Sequence, residues 1–205
     1  MENSLDNLLA PSLRKSIEEN LGKSTLNKIE QRLMERHSMG IIQAIKNFYK
    51  FDSVLREFFG AEADGLETKF LQNIIELKQQ KKVNDNWIII QDQGLTKIFL
   101  ESFADEDKRA IIDSVTDESL IIADILECCK LPQTSGYRKI NQMIDSGLLI
   151  SNEYELATDG KKIKKYETMF DDVKIDIEKN VIVVKIQLKK NFLSQSSILQ
   201  IIKTK

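Results

Sequence analysis

The sequence has few of the side chains that most often perform catalysis or bind metals. Of its 205 residues, one is a histidine, His37, and two are cysteines, the adjacent Cys128 and Cys129. Adjacent cysteines rarely form a disulfide with each other, and no second pair completes a metal site. A glycine-rich phosphate loop is missing as well. We therefore expect no catalytic residues, no metal site and no cofactor, and we expect a reducing, cytoplasmic location.

These three side chains also have simple structural interpretations. A lone histidine in a charged helical segment is more often a surface residue than a base, and we interpret His37 in this way. Cys128 and Cys129 end an apolar-periodic segment, which favours small, buried hydrophobic side chains. The alternative is a redox sensor, which needs an exposed thiol beside a cation such as Lys130.

Long apolar runs are also missing. No run approaches the roughly 20 apolar residues that cross a bilayer, and the first four residues are polar. We expect neither a membrane span nor a signal peptide. The hydrophobic content of 41% is nevertheless sufficient for real hydrophobic cores.

The first 85 residues contain helical periodicity. Apolar residues recur at helical spacing in several segments, which Gly22, Gly40 and Gly60 separate. Pro11 is expected to open the main part of the first helix. A last helix is predicted from about residue 66 to a polar end at residues 79–82. We predict a helical N-terminal domain, residues 1–85, that serves dimerisation, sensing or partner binding.

A different pattern follows the polar residues 84–86. Trp87 to Ile90 is a strand candidate, and helices follow it. The acidic residues 105–107 suit the first turn of one helix, because the helix dipole favours negative charge there. A catalytic or metal-binding role for these carboxylates is the alternative, and the helix-start interpretation is favoured.

Two short helices joined by a turn are predicted between residues 117 and 146. The chain breaks at residues 130–132, and the second helix runs over residues 133–146. Pro132 suits its first turn, and Thr134 or Ser135 can cap its free amides. Gly147 suits a left-handed end. A strand from residue 148, a turn at residues 158–160 and a returning strand over residues 161–169 complete a β-hairpin with a lysine-rich tip.

A helix-turn-helix followed at once by such a hairpin resembles a winged-helix DNA-binding domain. The segment LPQTSGYRKINQMIDSGLL is similar to the recognition-helix region of ArsR-type and MarR-type transcriptional regulators, especially archaeal ones. The resemblance covers about residues 103–170 and implies a winged helix-turn-helix domain within residues 86–170. Members of the family usually have a larger apolar residue where this chain has Gly136. We expect that glycine to weaken the helix by roughly 1 kcal/mol and to anchor it less firmly.

The resemblance implies that the second helix lies in the major groove and the hairpin on the backbone or minor groove. Arg pairs with guanine, and Asn or Gln pairs with adenine, while hydroxyls, the helix start and lysines bind phosphate. The predicted DNA-binding residues are Thr134, Ser135, Tyr137, Arg138, Lys139, Asn141 and Gln142 on the helix, and Lys161, Lys162 and Lys164 on the hairpin.

The last part of the chain, residues 171–205, alternates apolar and polar side chains. Two strands around a turn at residues 178–180 predict a further β-hairpin, and two apolar faces on it require additional cover. The strand at Trp87–Ile90 or a partner subunit is a candidate for that cover. Residues 192–202 form a final apolar segment, helix or strand. The fold class predicted for the chain is α+β, mainly α with a smaller β part.

Charge is unevenly distributed, although the net charge is only −2. Residues 87–132 carry 4 basic and 10 acidic groups, whereas residues 133–205 carry 13 basic and 9 acidic groups. The positive part coincides with the predicted recognition helix, hairpin and C-terminal segments, as expected for a phosphate-binding surface.

These observations predict a sequence-specific transcriptional regulator that binds double-stranded DNA as a homodimer, because one winged helix covers few base pairs. The alternative is a protein-interaction adaptor in a larger complex, with the acidic segment as its working surface. An enzyme with an active site between the domains is a third possibility, and the shortage of histidine and the lack of a paired nucleophile argue against it.

Overall fold

The computed structural model of the chain describes residues 4–77, 87–157 and 160–190, together with Phe192, Ser196 and Ile198. Its helices and antiparallel sheets form an α+β fold, which confirms the predicted fold class. No helix among the described residues is long and apolar enough to cross a membrane. The predicted turn residues Thr158 and Asp159, and most of the predicted segment 192–202, lie outside the described residues.

Residues 4–72 form helices, as predicted, and a strand follows them. The helices are α1 (Ser4–Leu21), α2 (Lys23–His37), α3 (Ile41–Lys46), α4 (Phe48–Phe59) and α5 (Ala63–Gln72), with a 3-10 turn at Gly60–Glu62 before α5. Their apolar stripes are buried against one another, and Ile17, Ile29 and Phe51 are fully enclosed. Burial of these stripes, more than intrinsic helix propensity, holds such short helices together.

Pro11 lies inside α1 and does not open it, so that prediction is wrong. Leu5, Leu8 and Leu9 before the proline are as deeply buried as Leu13 after it. Because both halves of the helix bury apolar side chains on one face, their packing outweighs the backbone hydrogen bond that the proline removes.

The predicted helix over residues 66–82 is also wrong in its second half. Helix α5 ends at Gln72, and the chain forms strand β1 (Ile75–Leu77), which pairs antiparallel with β2 (Trp87–Ile90). The backbone N–H groups of Gln91 and Asp92 both donate to the carbonyl of Ile74, at 2.7 and 3.2 Å. A strand partner distant in sequence therefore overrides the local helical spacing. The predicted boundary near residue 85 lies outside the described residues.

Strand β2 adds to the sheet of the C-terminal hairpin, as predicted, and the order of the four strands is Ile75–Leu77 (β1), Trp87–Ile90 (β2), Val181–Leu188 (β7) and Phe170–Glu178 (β6). The hairpin comprises β6 (Phe170–Glu178) and β7 (Val181–Leu188). Lys179 and Asn180 connect its strands with φ values of 50° and 66°, which suits a tight turn between twisted strands. The predicted hairpin and its turn are confirmed.

The middle of the chain forms a second unit of helices around a three-stranded sheet. Its elements are α6 (Gln93–Ala104), α7 (Glu106–Ser114), β3 (Leu120–Ile121), α8 (Ile122–Cys128), α9 (Gln133–Asp145), β4 (Leu149–Leu156) and β5 (Lys162–Thr168). The sheet order is β3-β5-β4. The short strand β3, which precedes α8, therefore pairs with β5, the second strand of the β4–β5 hairpin.

One hydrophobic core runs through the predicted N-terminal domain and the parts that follow it. Ser12 of α1 donates a hydrogen bond of 2.8 Å to Asp92, which also caps α6 by accepting from the Leu95 N–H. Ser196 donates at 2.8 Å to Asp6, so this residue contacts α1 as well. The division into residues 1–85, 86–170 and 171–205 remains a prediction about folding units that share this core.

We predict that Gly147→Ala destabilises the protein more than Gly160→Ala. Both glycines have a φ of 80°, which costs a residue with a Cβ about 1–2 kcal/mol. A Cβ at Gly147 would also lie 3.0 Å from the Cα of Leu8 in α1, whereas nothing lies within 4 Å at Gly160. The additional cost of Gly147→Ala should be about 1 kcal/mol or more, measured by urea denaturation. Equal costs would contradict this contact between α1 and the end of α9.

Candidate nucleic-acid interface

The turn between α8 and α9 fixes the position of the predicted recognition helix. Lys130 has a φ of 52°, and the N–H groups of Lys130 and Leu131 donate to the carbonyls of Glu127 and Leu126 at 3.0 Å. This left-handed residue closes α8 and satisfies its last carbonyls, and Pro132 then prevents the helix from continuing. The predicted break at residues 130–132 is confirmed.

The two ends of α9 differ in how well the sequence predicted them. Its N-cap is Pro132, which has no side-chain acceptor, and Thr134 and Ser135 lie inside the helix, where Ser135 Oγ donates to the Pro132 carbonyl at 3.2 Å. The predicted capping by Thr134 or Ser135 is therefore wrong. At the C-terminus, Gly147 adopts the expected left-handed conformation, and the Leu148 N–H donates to the Met143 carbonyl at 2.9 Å. The sequence therefore predicted the C-terminal end of α9 better than its N-terminal end.

Gly136 has a role opposite to the one expected from the sequence. It is buried, and a Cβ there would lie 2.1 Å from Cδ2 of Leu126 and 3.3 Å from Cβ of Leu131. The absence of a side chain lets α8 approach α9 closely, so the glycine anchors α9 more firmly. The sequence offered no signal for this contact, because Leu126 lies in another helix.

We predict that Gly136→Ala destabilises the protein although alanine favours helix formation. Overpacking against Leu126 and Leu131 should outweigh the roughly 1 kcal/mol gain in helix propensity and leave a net loss of about 1 kcal/mol. Gly65→Ala in α5, where nothing lies within 4 Å, should instead gain up to about 1 kcal/mol. Thermal and urea unfolding of both variants measures the two signs, and stabilisation by Gly136→Ala would refute the close approach.

Lys139 does not extend toward solvent from α9. Its Nζ lies 2.6 Å from Oδ2 of Asp105 and 3.0 Å from Oδ2 of Asp107, and its side chain is only 17% exposed. Asp105 is the N-cap of α7 and accepts a second hydrogen bond from the Lys108 N–H. The expected contact of Lys139 with the DNA backbone therefore has no support from its position. The acidic residues begin α7, as predicted, and they also hold α9.

This ion pair shifts the pKa of both partners toward the charged form. The hydrogen bond from Lys139 lowers the pKa of Asp105, and the same bond raises the pKa of Lys139. Stabilisation by the carboxylate is therefore complete above its ordinary pKa and is lost as the pH falls through the lower, folded value. Stabilisation by the ammonium is complete below its ordinary pKa and is lost as the pH rises through the higher, folded value.

We predict that Lys139→Gln costs about 1 kcal/mol of unfolding free energy at neutral pH. The difference from the native chain should be constant between about pH 5 and pH 10 and should shrink outside that range. Lys97→Gln is the control, because its partner Glu101 is 3.5 Å away and both side chains are more than half exposed. A cost that does not change down to pH 2 would contradict the assigned pair.

The outer side of α9 presents a polar stripe, as predicted. Its exposed members follow one another at helical spacing and comprise Thr134, Tyr137, Arg138, Asn141 and Gln142, with Ser135 half-buried at the start. Ile140 and Met143 on the opposite side are buried. Arg138 makes no hydrogen bond or ion pair with the part of the chain that the structure describes. The stripe therefore offers donors and acceptors of the kind that contact base edges.

The hairpin of β4 and β5 places its lysines at its exposed end. Lys161, Lys162 and Lys164 are exposed, and the register pairs Lys164 with Tyr154 and Lys162 with Leu156. Cross-strand partners share one face of a sheet. Tyr154 is 56% exposed and Leu156 is 69% exposed, so this face combines apolar side chains with two positive charges. Sequence reasoning identified the lysines but not these apolar neighbours.

The other candidate side chains, which are His37, the two cysteines and a group of carboxylates, belong neither to the polar stripe on α9 nor to the hairpin lysines. His37 is half-buried, with Nε2 3.3 Å from Ser53 Oγ. Cys128 is exposed, so its interpretation as a buried hydrophobe is wrong, while Cys129 is half-buried and burial raises the pKa of its thiol. The sequence missed an acidic cluster of Asp52, Asp64 and Glu67, in which Arg56 pairs with the two aspartates.

Comparison with protein-family models, with curated proteins and with solved structures finds no match for this chain. Any functional interpretation therefore rests on the sequence and structure of the chain itself.

Proposed function

We propose that the chain is a sequence-specific DNA-binding transcriptional regulator with a winged helix-turn-helix domain. The observation that carries the proposal is the polar stripe on α9, which lies opposite a buried apolar side and next to a lysine-bearing hairpin. The order α7-β3-α8-α9-β4-β5, with sheet order β3-β5-β4, suits a winged helix. In that arrangement α9 enters the major groove and the hairpin contacts the backbone or minor groove.

Each side chain has a separate role in this proposal. Arg138 pairs with guanine, while Asn141 and Gln142 pair with adenine in the major groove. Thr134, Ser135 and Tyr137 position the helix on phosphate and sugar. Lys161, Lys162 and Lys164 neutralise phosphates beside the recognition site. Lys139 leaves the set, since Asp105 and Asp107 already bind its ammonium group.

The regulator acts as a homodimer in this proposal, because two symmetric copies read two half-sites and gain affinity over one. The proposal assigns it no catalytic activity. A groove of about 590 Å³ lies between α6 and the β6–β7 hairpin, and the described residues that line it include no histidine, cysteine or serine. That lining lacks the nucleophile and base that hydrolytic chemistry most often uses.

We expect paired substitutions to separate the two kinds of contact. Arg138→Ala with Gln142→Ala should remove sequence preference, at roughly 1–3 kcal/mol for each lost base contact. Lys162→Ala with Lys164→Ala should weaken binding to all sequences alike and flatten the salt dependence. Selection of randomised duplex DNA, followed by titration at several salt concentrations, measures both effects.

A matched control is Lys15→Ala with Lys28→Ala on α1 and α2, which removes two exposed positive charges far from α9 in sequence. That variant should keep the native preference and nearly the native salt slope. If the Arg138 and Gln142 variant selects the same sequence with the same affinity, α9 is not the recognition helix.

The second candidate is a protein-interaction adaptor. The ion pairs of Lys139 with Asp105 and Asp107 favour it, because they neutralise a positive charge on α9. The two aspartates belong to residues 87–132, which carry a net charge of −6. An adaptor would retain little duplex DNA even at low salt, whereas a regulator would show steep salt dependence.

A further inference from the structure

The β4–β5 hairpin extends beyond the rest of its sheet as a two-stranded ribbon. Strand β3 pairs only with Lys165 and Tyr166 of β5, and no strand among the described residues pairs with the outer edge of β4. The last pair before the turn joins Leu156 to Lys162, and Leu156 is 69% exposed there. Tyr154, two residues back on the same face, is 56% exposed. Packing within the described chain therefore does not account for these two side chains.

A β-bulge determines which side chains share a face of this ribbon. The register of β4 against β5 shifts just after Ile150, where β4 has one residue more than β5. Because of this extra residue, Tyr154 lies opposite Lys164 and Leu156 lies opposite Lys162. Cross-strand partners share a face, so the two apolar side chains stand beside two lysines. Bulges commonly redirect side chains next to functional sites.

Regular pairing without the bulge would neutralise the same lysines. The register at the base of the hairpin, continued unchanged, would set Glu153 opposite Lys164 and Glu155 opposite Lys162, and such opposite charges stabilise a sheet. The bulge instead places both carboxylates on the other face, where Glu153 lies opposite Lys165. Lys162 and Lys164 are exposed, and neither forms an ion pair with the part of the chain that the structure describes.

This face, with two free ammonium groups beside apolar side chains, suits the minor groove of duplex DNA. Phosphates line both sides of the groove and attract lysines. Between them, an exposed apolar side chain can insert between base pairs and unstack them. An anionic lipid surface also combines phosphate with apolar groups. The polar stripe on α9, the helix that leads directly into β4, matches base edges and therefore favours the duplex.

We propose that this face of the ribbon enters the minor groove beside the α9 site, and that Leu156 inserts between two base pairs and bends the bound duplex. Lys162 and Lys164 bind the phosphates on the two sides of the groove, and Tyr154 packs on the sugars. The inference rests on the proposed DNA-binding function and adds a specificity-determining residue to it.

Insertion of Leu156 predicts a feature of the target sequence. Pyrimidine–purine steps such as TA and CA unstack and kink most easily, so insertion costs least there. The chain should therefore prefer such a step at a fixed distance from the bases that α9 contacts. This preference comes from the deformability of the duplex and needs no hydrogen bond to a base edge.

The first test compares three chains in selections of randomised duplex DNA. The native chain should enrich a pyrimidine–purine step beside the bases that α9 contacts. Leu156→Ala should retain those bases and lose the preference at the step. Ile163→Ala is the matched control, because Ile163 is 39% exposed on the other face of the same ribbon, opposite Glu155. It should retain both features, and circular dichroism establishes that each variant is folded.

The second test measures the shape of the bound duplex. Energy transfer between dyes at the ends of a short selected duplex should report a bend of about 20–90° with the native chain. A fluorescent adenine analogue at the step should brighten as it unstacks. Leu156→Ala should leave the duplex nearly straight and the analogue quenched, whereas Ile163→Ala should behave as the native chain does. Replacing the step by AA should weaken native binding roughly tenfold and change the binding of Leu156→Ala little.

The outcomes separate this inference from the function on which it rests. A native complex that selects a sequence but leaves the duplex straight overturns the inference alone. So does a bend that survives Leu156→Ala, or one that Ile163→Ala abolishes equally. A chain that enriches no sequence and retains no duplex at low salt overturns both proposals. If such a chain binds vesicles of phosphatidylserine and phosphatidylcholine, and Leu156→Ala abolishes that binding, the face belongs to a lipid surface.

Discussion

The close packing of α8 against α9 is the constraint on which the candidate site depends. Cδ2 of Leu126 occupies the space that a side chain at position 136 would need, so in this packing the two helices approach where Gly136 has no side chain. Because Ile140 and Met143 are buried on the same side, only one orientation of α9 about its axis buries its apolar residues. Arg138, Asn141 and Gln142 then point outward as a consequence of what is buried.

The N-terminal helices take part in the same constraint. The backbone of Leu8 lies against Gly147 at the end of α9, and Ser12 contacts the cap of α6. A change in the packing of α1 would therefore reach the end of the candidate recognition helix directly.

Electrostatics on the two sides of α9 have opposite consequences. On the side toward α7, Lys139 is bound by two carboxylates and serves the fold. On the outer side, Arg138 and the hairpin lysines Lys162 and Lys164 are exposed. Net charge counted along the sequence treats all these residues alike, whereas only the second group can neutralise a phosphate without first breaking an ion pair.

The sequence by itself determined the elements whose signals are local. The turn at Lys130–Pro132, the left-handed Gly147 and the hairpin turn at Lys179–Asn180 follow from residues that adopt or stop particular backbone conformations. Alternation over residues 173–188 predicted the C-terminal hairpin, and the helical period of α9 predicted its inward and outward sides.

Tertiary structure alone decided the remaining features, because they depend on partners distant in sequence. Ile75–Leu77 is a strand because Trp87–Ile90 pairs with it, Lys139 is bound because Asp105 lies beside it, and Gly136 is an anchor because Leu126 fills its place.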